Sequence, residues 1–374
     1  MTESDQNQPA TGEPQADFDS PLDEFDSPLD RAIEGIDYPD TDAAQAAKRR
    51  QGELITPADS LGLLDELAGW AAGVQGRCPP TAFANTRLVV FAADHGIAAA
   101  GVSAYPSGAT AQLLTSMAAG ETALNVLADA AGVPVRLVDL AVDADTDPAI
   151  STFKIGRASG RIDTEDALTP TQVTAAIEAG IAIADQEIDA GADLLIAADL
   201  GVANSTPAAT LISVLTDFEP IKVVGRSSGL DDAGWIRKCA AIRDARRRAW
   251  PHRTELTELL ATAGGADLAA MTGFLLQAAN RRTPVLLDSL VVSAAALAAQ
   301  LACPRVVRWL QAAHLSPEPA HDIALRRLGL SPIVGLDIAL GQGVGALVAL
   351  PVLRAAALSL TVTGQAQNRY SELS

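Results

Sequence analysis

Short, mostly apolar runs, each stopping at a charged or polar residue, constrain this chain more than any other feature. They lie at 87–94, 135–139, 192–199, 221–226 and 284–288. A further run at 306–314 reads as a sixth strand or as a helix. Alanine-rich stretches of helical character separate most of them, at 109–131, 170–190, 207–216, 231–249, 266–281 and 290–302. A strand without polar alternation is buried on both faces. Parallel strands need crossover segments long enough for a helix. The rhythm therefore predicts an α/β fold with a parallel sheet covered by helices on both sides.

The residues that end the runs are Asp94-His95, Asp139, Asp199, Arg226, Asp288 and His314. In a parallel sheet all of these fall on one edge, outside the carboxyl ends of the strands, where open α/β sheets bind ligands. Three loop-to-helix openings lie on the same side of the pattern. The first is Gly201-Val-Ala-Asn204-Ser205-Thr206-Pro207, with three cap-forming residues and a proline suited to the first helical position. The second is Gly225-Arg226-Ser-Ser-Gly-Leu-Asp-Asp232, and the third holds Gly264-Gly265. Free N–H groups at such openings hold anions, which points to a phosphorylated ligand. None of them is a P-loop, and none reads Gly-x-Gly-x-x-Gly, so a nicotinamide-dinucleotide dehydrogenase is not supported. A fourth glycine-rich turn, 340–346, precedes an apolar helix at 347–360. The four histidines have no HxH or HExxH spacing, so no zinc site is expected.

Charge is distributed unevenly. The net charge is −19, of which the first 45 residues carry −12, leaving −7 for the rest. That balance excludes nucleic acid as a partner, and aromatic residues are only 4%, too few for base-stacking platforms. The sequence FDSPLD occurs at 18–23 and again at 25–30. Residues 1–45 are expected to form a disordered, solvated acidic tail, with a motif for an unknown protein partner as the alternative reading. From 43 to 76 apolar residues recur at helical spacing. The only membrane-like run, 344–363, is broken by Pro351 and Arg354 and reads as a core helix. Cys78, Cys239 and Cys303 are far apart with no CxxC pair, and the start of the chain is polar. Reduced thiols and a cytoplasmic location are expected, with no membrane association.

Seven motifs together resemble the nicotinate-nucleotide–dimethylbenzimidazole phosphoribosyltransferase family. They are 91–106 (FAADHGIAAAGVSAYP), 154–162 (KIGRASGRI), 198–209 (ADLGVANSTPAA), 224–234 (VGRSSGLDDAG), 264–274 (GGADLAAMTGF), 314–321 (HLSPEPAH) and 340–346 (LGQGVGA). The resemblance spans about residues 46–366. It implies a six-stranded Rossmann-like sheet in a large domain over about 86–330. A smaller helical domain would come from about 46–85 and 331–374. It also implies a homodimer, no metal and no organic cofactor. The reaction implied is phosphoribosyl transfer from nicotinate mononucleotide to 5,6-dimethylbenzimidazole. The openings at Gly201, Asn204, Ser205, Thr206, Gly225, Arg226, Gly264 and Gly265, with Lys238, would take the phosphate. Ser103 and Tyr105 would wall the benzimidazole slot, and Asp288, His314 and Gly343 complete the set. In the family the turn at 340–345 carries a glutamate that acts as general base; here that position is Gln342. An amide can accept a hydrogen bond but cannot take a proton. Asp199, at a second acidic position of the family, is the substitute base. The competing expectation is a catalytically impaired or retuned relative that binds a nucleotide, a nucleobase or a partner protein.

Overall fold

The computed structural model describes residues 27–362 apart from 56, 58, 59 and 228. Among the described residues three helices, α1 (Pro28–Glu34), α2 (Thr41–Glu53) and α3 (Leu63–Gln75), precede β1 (Thr86–Ala93). Next come α4 (Ala109–Ala118), α5 (Ala123–Ala131), β2 (Val135–Ala141), α6 (Pro170–Asp189) and β3 (Leu194–Leu200). The chain continues through α7 (Ser205–Thr216), α8 (Pro220–Val223), α9 (Asp232–Ala249), α10 (Leu256–Ala263) and α11 (Ala266–Asn280). It ends with β4 (Val285–Leu287), α12 (Leu290–Ala302), β5 (Leu310–Ala312), α13 (Pro319–Leu328) and α14 (Val344–Ser359).

The strands form one parallel sheet in the order β2-β1-β3-β4-β5. Every residue of β3 is buried. Successive strand side chains point to opposite faces, so the sheet is covered on both. Among the described residues the sheet has five strands, not six. The run at 221–226 fails as a strand because Pro220 sits at the first position of the short helix α8, where its fixed φ suits a helix start. The run at 306–314 divides into a 3-10 turn, Pro304–Trp309, and the three-residue β5.

Other expectations shift in detail. The stretch 109–131 is two helices parted at Gly120, whose φ of +80° ends the first. Pro207 stands third in α7, because Asn204 is the N-cap. The expected tail is too long. Its residues from Ser27 onward fold, because residues 27–30 of the second copy start a helix: Ser27 and Asp30 form a capping box around Pro28. Behind it Ala32 and Ile36 are buried. The first copy, 18–23, lies outside the described residues.

Packing of α6 on α11 depends on two glycines. A Cβ on Gly180 would lie 1.8 Å from the Ala270 carbonyl oxygen, and one on Gly273 2.2 Å from that of Ile177. Phe274 from α11 meets Phe91 of β1 edge-on at 5.2 Å, locking this helix pair to the sheet. At the other end α2, α3 and the end of α14 enclose a small separate cluster of Ala47, Leu54, Ala68, Ala72 and Leu360. Among the described residues no helix is long and apolar enough to cross a membrane.

Candidate active site

The strand order reverses at β1, which has β2 on one side and β3 on the other. Such a switch point leaves a crevice between the loops that exit the two strands. A cleft of about 370 Å³ opens there. Its walls come from the segment after β1 (Val102, Ser103, Tyr105, Thr110), the end of β3 and the turn into α7 (Asp199 to Ser205), Ser289 after β4, His314, Ser316 and Glu318 after β5, and 338–342 before α14. Gly201 lets the chains leaving β1 and β3 run close together: a Cβ there would stand 2.2 Å from the Ala93 carbonyl oxygen.

Asp199 forms the floor. Its carboxylate accepts hydrogen bonds from the Ser289 hydroxyl and from Asn204 Nδ2, the latter at 2.6 Å. Burial pushes its pKa up to about 6 despite those donors, and nearby Asp267 adds to the rise. Gln342 lines the same cleft. The backbone there is left-handed, with φ of +69°, and a Cβ on the preceding Gly341 would be 3.2 Å from Asp199 Oδ1. Beneath the floor His95 pairs with Asp267 at 3.2 Å, both wholly buried. Burial depresses the His95 imidazole, but Asp267, with Asp94 and Asp199 beyond it, lifts it above its ordinary value.

A buried cation backs another part of the cleft. Lys238 of α9 is 1% exposed, and its ammonium donates to Ser205 Oγ at 2.9 Å and Ser227 Oγ at 2.7 Å. Burial lowers its pKa to about 8, partly offset by the Glu318 carboxylate. Glu318 itself accepts from the Ser227 amide at 2.7 Å and the Ser227 hydroxyl at 3.0 Å. Val102, Tyr105, Leu113, Val291, Ile338 and Leu340 give the cleft an apolar wall.

Of the residues expected from sequence, the cleft brings together Ser103, Tyr105, Asp199, Gly201, Asn204, Ser205, His314 and Gln342. Lys238 reaches it through Ser205 and Ser227. The others are placed elsewhere. Thr206 is fully buried inside α7. Arg226 turns outward to the Leu230 carbonyl and Asp232. Gly264 and Gly265 lie below the cleft, where a Cβ on Gly265 would meet the His95 ring at 2.6 Å. Gly225 faces Glu318. Asp288 is buried and accepts from the Gly343 and Ala346 amides, each at 2.8 Å, so it ties down the start of α14. Burial pushes it up to about 7 against those amides. Sequence reasoning missed Ser289 and Glu318. Ser289 directly follows a strand end and was within reach of the same argument. Glu318-Pro319 looks in sequence like an ordinary helix start.

Residues 36–368 match the family model described as phosphoribosyltransferase. The chain is 54% identical over 327 residues to a nicotinate-nucleotide–dimethylbenzimidazole phosphoribosyltransferase of Mycobacterium tuberculosis (strain ATCC 25618 / H37Rv), covering 87% of this chain and 91% of that one. It is 52% identical to the protein of the same name from Mycobacterium avium (strain 104), covering 87% and 94%. The crystal structure of CobT from Thermus thermophilus superposes with a TM-score of 0.83 at 37% identity, over 86% of this chain and 97% of that one. A match of this extent, on a cleft with a buried cation and an apolar wall, means that the chain belongs to the nicotinate-nucleotide–dimethylbenzimidazole phosphoribosyltransferase family.

Proposed function

We propose that this chain transfers the phosphoribosyl group of nicotinate mononucleotide to 5,6-dimethylbenzimidazole, releasing nicotinate and giving α-ribazole 5′-phosphate for the nucleotide loop of cobalamin. The supporting observation is that one cleft combines the Lys238–Ser205–Ser227 cluster, the apolar wall, and Asp199 with Gln342. A phosphate suits the cluster, where an ammonium, hydroxyls and the N-terminus of α7 converge. A flat apolar base suits the wall.

One benzimidazole nitrogen attacks the anomeric carbon as the bond to nicotinate breaks, with inversion. The acceptor must then lose the proton on its other nitrogen. Gln342 holds and orients the acceptor through its carbonyl oxygen, and Asp199 takes the proton. The polar donors around Asp199, Ser289 and Asn204, keep it ionised near neutral pH despite burial. A positioned base contributes about 10²–10⁴-fold.

Release of nicotinate from nicotinate mononucleotide in the presence of dimethylbenzimidazole tests the reading directly. The native chain is expected to turn over, Asp199→Asn to lose about 10²–10⁴-fold in kcat, and Gln342→Glu to gain. A native chain inactive at high enzyme concentration, with activity appearing only in Gln342→Glu, overturns it in favour of a non-catalytic nucleotide binder. We further propose a cytoplasmic homodimer. The division into a large sheet domain and a small helical domain from both chain ends is supported by the separate cluster of α2, α3 and α14.

A further inference from the structure

The cationic end of the cleft already holds an anion, and it belongs to the protein. Glu318 is the residue before α13, and its carboxylate is gripped by the Ser227 amide at 2.7 Å and the Ser227 hydroxyl at 3.0 Å. That hydroxyl in turn accepts from Lys238 Nζ at 2.7 Å, and Lys238 also donates to Ser205 at the start of α7. Gly225 leaves the space the carboxylate fills: a Cβ there would lie 1.9 Å from Glu318 Oε2. An amide, a hydroxyl and a relayed ammonium are the donor set a phosphate requires. We propose that Glu318 is a built-in stand-in for substrate phosphate, which occupies the anion-binding end in the empty protein and is displaced by a phosphorylated donor.

The inference rests on the reading of that end as the phosphate site, and it accounts for the burial of Lys238. Lys238 is almost wholly buried, and a buried ammonium without a nearby anion is costly. Glu318 supplies that charge while no ligand is bound. Displacement needs only side-chain rotation, because Pro319 fixes the backbone at the start of α13 and Glu318 is half-buried against the cleft. The exchange also selects: a phosphate dianion replaces the carboxylate and keeps Lys238 compensated, whereas a donor lacking phosphate leaves Glu318 in place. The hydroxyl of Ser227 ties the carboxylate to the ammonium, so this residue sets how firmly the stand-in is held.

Calorimetric titration of the full chain with inorganic phosphate at pH 6.5, below the Lys238 transition, tests the proposal without turnover. Glu318→Gln is expected to bind phosphate about tenfold more tightly than the native chain, since one like-charge contact is relieved. Glu318→Asp keeps the charge but is one methylene short of Ser227, and is expected to shift the same way by a smaller factor. In turnover, the KM ratio of nicotinate riboside to nicotinate mononucleotide should rise about tenfold in Glu318→Gln. Phosphate binding that is unchanged or weaker in both variants overturns the proposal. Absence of turnover in the native chain overturns the transferase reading instead, and leaves the phosphate titrations to decide this one.

Discussion

Three side chains on the cleft rim sit where the backbone is left-handed: Ala203 at φ +67°, Ser227 at +36° and Gln342 at +69°. A Cβ is strained in that region. Ala203→Gly should therefore stabilise the protein by about 1 kcal/mol in urea unfolding, with no contact added. At Ser227 the same strain brings a hydroxyl between Lys238 and Glu318. Two titrations belong to this scale. Asp199 is raised to about 6, so it gains a proton as pH falls through that value and can no longer accept one. The kcat of the native chain should fall below about pH 6. Lys238 is lowered to about 8, so it loses its charge as pH rises through that value. The KM for nicotinate mononucleotide should rise above about pH 8, with kcat affected less. A pH series of initial rates reads both limbs.

At the scale of elements, the contact between α6 and α11 is the tightest test of packing. Gly273→Ala places a methyl against the backbone of α6, 2.2 Å from the Ile177 carbonyl oxygen, and neither backbone can yield cheaply. Thermal unfolding should report a loss of about 1–3 kcal/mol or more. Helices of this kind were legible in the sequence because alanine-rich stretches with clear caps are locally self-consistent: α6 begins at Thr169-Pro170 with Gln172 closing the capping box, as its residues dictate. Strands were legible where five or six apolar residues ran together, as in β1 and β3. Residues 221–223 misled because Ile-Lys-Val after a proline has strand-like side chains on a helix-start backbone. The site was half legible. Strand-end and cap residues mark the rim, but whether a side chain turns inward, as Ser205 does, or outward, as Arg226 does, depends on partners far along the chain. Glu318 meets Ser227 across 91 positions, and no local pattern encodes that contact.

Over the whole molecule, the chain from Ser27 onward is part of the folded body. α1 packs on α6 and α11, and the chain from Asp37 crosses to Trp309, whose indole donates to the Asp37 carbonyl at 2.8 Å. Ile36 is fully buried. Ile36→Ala should cost about 2–4 kcal/mol in chemical denaturation, far from the cleft and without changing KM. The buried carboxylate of Asp288 joins parts of this architecture in time as well as in space. Its two amide partners, Gly343 and Ala346, leave the ribosome 55 and 58 residues after it, and Gln342 arrives with them. A nascent chain halted before this turn has a solvent-hungry acid at its centre and only part of a pocket. Competence to bind and a late gain in stability should therefore arrive together, once the segment 341–346 has emerged.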